Sequence, residues 1–245
     1  MIEFMAPPDS LAGKTILITG AGAGIGKTLA LQCASLGAKV ILLGKTVHKL
    51  ETVYDQIELF GKQQAAILPV DLKGASEEHY NDLADTIKRE YGQLDALVHN
   101  ASQLGTLGPF AQIEKSTWDD VIQTNLTAQF LLTKSLIPVL NLAPNASVIF
   151  TTSSVGHTGR AYWGAYSISK FASEGMMQVL ADEYEHSTLR FNAINPGATR
   201  TAMRAMAYPA EDSSLLKTAE EIMPTYLYLL SDVSIGVTGQ RFNAQ

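Results

Sequence analysis

The stretch AYSISK, residues 165–170, sets a phenol and an ammonium group four residues apart, Tyr166 and Lys170. On a helix that spacing puts both side chains on one face, so the lysine nitrogen can lie near the phenol oxygen. With roughly 4 Å between the charges and an effective dielectric of about 20, a phenolate beside an ammonium gains about 4 kcal/mol, or about three pKa units. The expectation is a tyrosine drawn from about 10 towards neutrality, where a general acid/base works best. This pair occurs in many helices by chance. Ser153, thirteen residues upstream at the tip of the preceding strand, makes the combination far more specific.

A second pattern suits phosphate. The first strand ends in TGAGAGIG, with Gly20, Gly24 and Gly26 at the turn into a helix. A diphosphate must approach the backbone closely there and meet the helix N-terminus, whose free N–H groups favour an anion. The second strand ends in VILLGKT, with Gly44 and Lys45 where a site selective for NAD usually carries a carboxylate to bind the ribose 2′-hydroxyl. A lysine neutralises a 2′-phosphate instead, so the reading is NADP(H) preferred, with NAD(H) possible. Asp71, just past the third strand, either accepts a hydrogen bond from the adenine amino group or caps a turn.

Elements must hold these groups in place. Short β-branched runs alternate with longer stretches of helical spacing, the pattern of βαβ units around a buried parallel sheet. Strands are expected at 14–19, 39–43, 65–70, 96–99, 147–152, 189–194 and 240–242, and helices at 26–36, 47–60, 77–91, 117–142, 165–185 and 219–230. Ser116 is read as the cap of the fourth helix. The fold class is α/β: a single Rossmann-type, doubly wound, parallel seven-stranded sheet with helices on both faces. Residues 1–10, with two prolines in tandem, read as an N-terminal arm, and 11–245 as one domain for cofactor and catalysis. The segment 200–217, interrupted by Pro209, has no regular assignment and reads as a substrate-covering element.

Bulk properties agree with a globular chain: 245 residues, 46% hydrophobic and 17% charged. A net charge of −6 with no Lys/Arg block gives no footprint for nucleic acid. The single cysteine, Cys33, allows no intrachain disulfide, and no apolar run is long enough for a membrane span. The reading is a cytoplasmic protein with no membrane partner and no metal site.

TGAGAGIG, HNAS, TNLTAQF, the stretch from TTSSVG to YSISK, and NPGATRT follow one another in an order that resembles the short-chain dehydrogenase/reductase family in its compact form, over roughly residues 10 to 243. The resemblance implies hydride transfer between nicotinamide and a carbonyl or secondary alcohol. It implies Tyr166 as the proton donor and acceptor, and Ser153 as a hydrogen-bond partner of the reacting oxygen. Lys170 would bind the nicotinamide ribose, and Asn125 would hold a main-chain kink and a water linking Lys170 to solvent. Gly20, Gly24 and Gly26 would cradle the diphosphate, with Ile25 and, after Asp71, Leu72 also counted as cofactor-binding. Asn100 and Ala101 would flank the adenine ribose; Pro196, Gly197, Thr199 and Thr201 would fix the carboxamide and nearby phosphates. Ser153 is preferred to Ser154 because strand alternation points Ser154 the other way. In relatives a helix pair forms a two-fold interface, which implies a homodimer or homotetramer.

Departures from the family pattern are His99 and Ser102 in HNAS, Ala23 where a basic residue is usual, and the ending FNAQ. His157 reads as a loop histidine with polar contacts, Asp95 as a strand cap, and Arg160, Tyr162 and Trp163 as either pocket lining or rim. The alternative function is a catalytically silent NADP(H)-binding sensor or scaffold, since a fold alone does not prove activity. Substrate identity is not legible.

Overall fold

The structure, a computed structural model, describes residues 2–61 and 64–245. The strands are β1 (Thr15–Thr19), β2 (Lys39–Gly44), β3 (Ala66–Pro69), β4 (Ala96–His99), β5 (Ala146–Thr151), β6 (Leu189–Asn195) and β7 (Arg241–Asn243). They form one sheet in the order β3-β2-β1-β4-β5-β6-β7, and every neighbouring pair is parallel. The helices are α1 (Gly24–Ser35), α2 (Val47–Glu58), α3 (Glu77–Tyr91), α4 (Lys115–Ile122), α5 (Ala128–Leu140), α6 (Gly164–Glu183), α7 (Ala202–Ala207) and α8 (Met223–Leu230).

Strand pleating divides the core in two. Along β1, Ile16 and Ile18 pack with α1, α2 and α8, whereas Leu17 between them packs with α3, α5 and α6. Both sheet faces are therefore covered, as the run of fully buried residues in β1, β4 and β5 requires. All seven strands lie within one residue of their expected bounds.

The helices depart from expectation in three places. The single helix expected over 117–142 is broken: Gln123–Thr127 forms a π turn between α4 and α5. The extra residue in that turn takes Asn125 out of the regular ladder, and a one-residue slip leaves no mark on apolar periodicity. Ser116 is not a cap, because α4 begins at Lys115 with Glu114 in the cap position. The helix expected from 219 begins as the 3₁₀ turn Glu220–Ile222, and α8 proper starts where Pro224, which lacks an N–H, fits its first turn.

The unassigned segment is also more regular than its sequence suggests. Thr201 Oγ1 accepts from Arg204 N–H at 3.2 Å and caps the six-residue α7. The Arg200 guanidinium donates to the carbonyls of Ser213, Ser214 and Leu216, which closes the segment on itself. Within the N-terminal segment, Phe4 meets Tyr228 edge-on at 5.8 Å, and Phe4 and Ala6 pack against the first core cluster.

Candidate active site

A cleft of about 420 Å³ lies along the carboxyl ends of the strands and spans the β1/β4 junction, where the strand order reverses direction. Every candidate residue lines it except Gly26 and Asn125, which lie one layer behind. Lys45, Asp71 and Leu72 mark one end, and Ser153, Tyr166 and Lys170 the other.

The glycine turn is dictated by close approach. A Cβ on Gly26 would stand 2.3 Å from the Gly20 carbonyl oxygen and 2.5 Å from Asn100 Nδ2, closer than any side chain tolerates. Asn100 Nδ2 donates to the Thr19 carbonyl at 3.0 Å, while Thr19 Oγ1 accepts from the N–H groups of Asn100 and Ala101, each at 3.0 Å. These bonds tie the ends of β1 and β4 together beneath the turn. Ala23 precedes α1 and no side chain caps the helix, so its first N–H groups are left for an anion. A dinucleotide diphosphate fits this cradle.

At the far end Lys45 is exposed beside the cleft, and Thr46 caps α2 without a side-chain hydrogen bond. Asp71 takes the turn role and also borders the cleft: its Oδ1 accepts from Lys73 N–H at 3.1 Å.

The opposite end, with Ser153, Tyr166 and Lys170, rests on α6. Gly156 lets the Ser153 turn lie against this helix, since a Cβ there would come within 2.7 Å of Lys170 Cβ. Tyr166 and Lys170 share a face, with the lysine nitrogen 5.6 Å from the phenol ring centroid. The expected pKa depression of Tyr166 is not found. Burial pushes the phenol up to about 12, outweighing the Ser153 and Ser102 hydroxyls beside it, which pull it down. Lys170 Nζ donates instead to the Thr151 carbonyl at 2.8 Å, and burial lowers its own pKa to about 8. The charge pair at roughly 4 Å expected from spacing supposes a partly solvated setting, whereas both groups are buried, so desolvation sets the direction of the shift.

Asn125 is fully buried in the π turn. Its Oδ1 accepts from Gln103 N–H at 2.7 Å, and its Nδ2 donates to the Gln103 carbonyl at 2.9 Å and to Ser169 Oγ at 3.0 Å. The side chain thus clamps the loop after β4 to α6 one residue away from Lys170. His99, the first departure from the family pattern, stacks on Phe150 and shares a 2.8 Å hydrogen bond with Thr133. Burial and the nearby Lys170 charge lower its pKa to about 3, so it is neutral. Ser102, the second departure, lies beside the phenol with its Oγ buried and no partner of good geometry.

Sequence reasoning missed a brace behind the site. Buried Glu174, one turn beyond Lys170, accepts from Thr152 Oγ1 at 2.7 Å and from Arg241 Nε at 2.9 Å. Arg241 also donates to the Ser153 carbonyl at 3.4 Å and to Asn243 Oδ1 at 3.1 Å, and Asn243 accepts from Asn195 Nδ2 at 3.0 Å. Gln245 Nε2 donates to the Pro196 carbonyl at 2.7 Å. Only the charged pair of Glu174 and Arg241 offered a signal, and a separation of 67 positions hid it. Asp95 caps a strand as expected, accepting from Thr15 N–H at 2.8 Å. His157 is exposed, 3.7 Å from Glu174, and of the undecided trio only Trp163 lines the cleft.

A doubly wound sheet with a glycine cradle at its switch point and a tyrosine, lysine and serine in the same cleft defines a nucleotide-dependent oxidoreductase of the Rossmann type. A family model described as short chain dehydrogenase matches residues 14–212, and the chain belongs to that family. It is 47% identical over 244 residues to the uncharacterized oxidoreductase YciK of Escherichia coli K12, covering 100% of this chain and 96% of that one. A solved structure from Pseudomonas syringae superposes with a TM-score of 0.98 at 47% identity over the whole of both chains. Another, from Shigella flexneri 2a and complexed with NADP, gives 0.93 at 49% identity over 98% of this chain and 100% of that one.

Proposed function

We propose that the protein is an NADP(H)-dependent oxidoreductase acting on a carbonyl or secondary alcohol. The convergence of Ser153, Tyr166 and Lys170 at the end of the cleft opposite Lys45 carries this reading. Bound reduced nicotinamide supplies a hydride to the carbonyl carbon and is itself oxidised. Ser153 Oγ orients the carbonyl oxygen by a hydrogen bond. Tyr166, protonated at neutral pH because burial holds its pKa near 12, gives its proton to that oxygen as the alcohol forms. Lys170 holds the ribose of the nicotinamide half, and Asn125 fixes the backbone behind it. Alcohol oxidation runs the same steps backwards and requires the ionised phenol. Absorbance of reduced nicotinamide with a panel of carbonyls and alcohols, run with both cofactors, tests the reading; no turnover of any member overturns it.

Cofactor preference rests on Gly44 and Lys45. No carboxylate repels a 2′-phosphate there, and the uncapped start of α2 adds donors beside the Lys45 ammonium. One charge-assisted contact makes NADPH bind about tenfold tighter than NADH. Lys45→Glu reverses the order. Fluorescence titration at fixed ionic strength measures both, and equal affinities in the parent overturn the assignment.

Assembly follows from an apolar face. Phe130 on α5 and Ile168, Phe171 and Val179 on α6 all stand exposed. Such a face on neighbouring helices is suited to a second copy about a two-fold axis. Light scattering at micromolar concentration should give two or four times 26.4 kDa, and a monomer mass rules the homo-oligomer out.

A further inference from the structure

The two ends of the cleft differ in chemistry. Lys45, Asp71 and Lys73 line the end at β2 and β3. At the other end Leu104 and Val155 cluster with Tyr166, joined by Trp163, Met203 and Ala207. The charged side chains lining that end are Lys170 and Arg204, and both are engaged. Lys170 is bonded to the Thr151 carbonyl. Arg204 makes a two-point ion pair with Glu211, 2.6 Å on each side, and its guanidinium carbon lies 3.8 Å from the centre of the Tyr208 ring. Tyr208, just behind the cleft wall, stands 5.8 Å from Trp163, and Trp163 stands 5.8 Å from Tyr166, so aromatic rings run without a break from Tyr166 to the residue that ends α7. Outside the row, Arg160 Nη1 donates to Tyr208 Oη at 2.6 Å and holds the ring in place.

We propose, on the reading of the site given above, that the carbonyl compound it accepts is uncharged and carries an apolar aryl or alkyl body packed against Trp163 and Met203. A planar or extended apolar group replaces water along the aromatic row, and the gain follows the area covered. A carboxylate or phosphate in the same place is stripped of water while, among the described lining residues, Arg204 is already paired with Glu211 and Lys170 is turned to the Thr151 carbonyl. Glu211 is the specificity-determining residue in this arrangement, because it keeps Arg204 from serving as an anion receptor.

Matched aldehydes test the idea: 2-naphthaldehyde and its 6-carboxylate, with NADPH as reductant. The expected kcat/KM of the neutral member exceeds that of the acid at least about tenfold, and Glu211→Gln, which releases Arg204, narrows the gap by about threefold or more. Equal or higher kcat/KM for the acid overturns the proposal while leaving the oxidoreductase standing. If neither is turned over, calorimetric titration of the NADP⁺-bound protein separates the possibilities. Binding of the neutral compound that Trp163→Ala abolishes upholds the substrate class, and the failure of turnover then counts against the redox reading alone. No binding of the neutral compound overturns the substrate class.

Discussion

Turnover of the Tyr166→Phe variant is expected to fall about 10²- to 10⁴-fold, the range that removal of a positioned acid/base produces. The ring keeps its contacts with Leu104, Val155 and Trp163, so only the proton donor is lost and the packing survives. NADPH affinity should stay within about threefold of the parent, since less than 1 kcal/mol of binding is removed. Steady-state kinetics alongside a cofactor titration separates the two effects. Activity above about a tenth of the parent would sink the tyrosine assignment, because a site with another proton source would show only that modest loss.

The second large effect links activity to stability in opposite directions. Lys170 is fully buried, and its pKa is lowered from 10.5 to about 8 by that burial. Below about pH 8 the folded state carries a desolvated ammonium, which costs about 3 kcal/mol relative to the unfolded chain. Between about pH 8 and 10.5 the folded form releases its proton first, so the cost shrinks with rising pH and vanishes above that window. Lys170→Met keeps the volume and removes the charge, at the loss of the bond to the Thr151 carbonyl, worth about 1 kcal/mol. We expect the melting temperature to rise by about 5 °C at pH 7, the gain to fade towards pH 10, and turnover to drop about 10²-fold or more. A variant that melts lower than the parent at pH 7 contradicts this account of the buried ammonium.

Strands were legible because their signal is local: a buried parallel strand must be apolar throughout, and its glycine or proline neighbours end it. The cleft residues were legible because they cluster in short motifs at strand ends. The π turn at Asn125 was not, since the hydrogen bonds that stabilise it come from Gln103 and Ser169, 22 and 44 residues away. The protonation state of Tyr166 was misread for a related reason. Spacing along a helix reports that two side chains share a face, but it carries no information on how much water surrounds them, and here desolvation outweighs the Ser153 and Ser102 hydrogen bonds that favour the phenolate. The six residues of α7 were hidden by brevity, since one capped turn and a half shows no periodicity.

The brace formed by Arg241, Asn243 and Gln245 has a bearing on how the molecule comes into being. On the ribosome these residues emerge after every candidate site residue, because Ser153, Tyr166, Lys170 and the Pro196–Gly197 turn all precede them in the chain. A nascent chain can therefore pair β1 to β6 and wrap α6 while the Ser153 turn and the Pro196 carbonyl still lack their ties to the last strand. Sheet formation and competence for catalysis become separate events in time, the second awaiting the final strand. A chain cut short before Arg241 would carry every candidate site residue in its sequence yet leave the Ser153 turn and the Pro196 carbonyl without these ties, which lowers the cost of opening that edge locally.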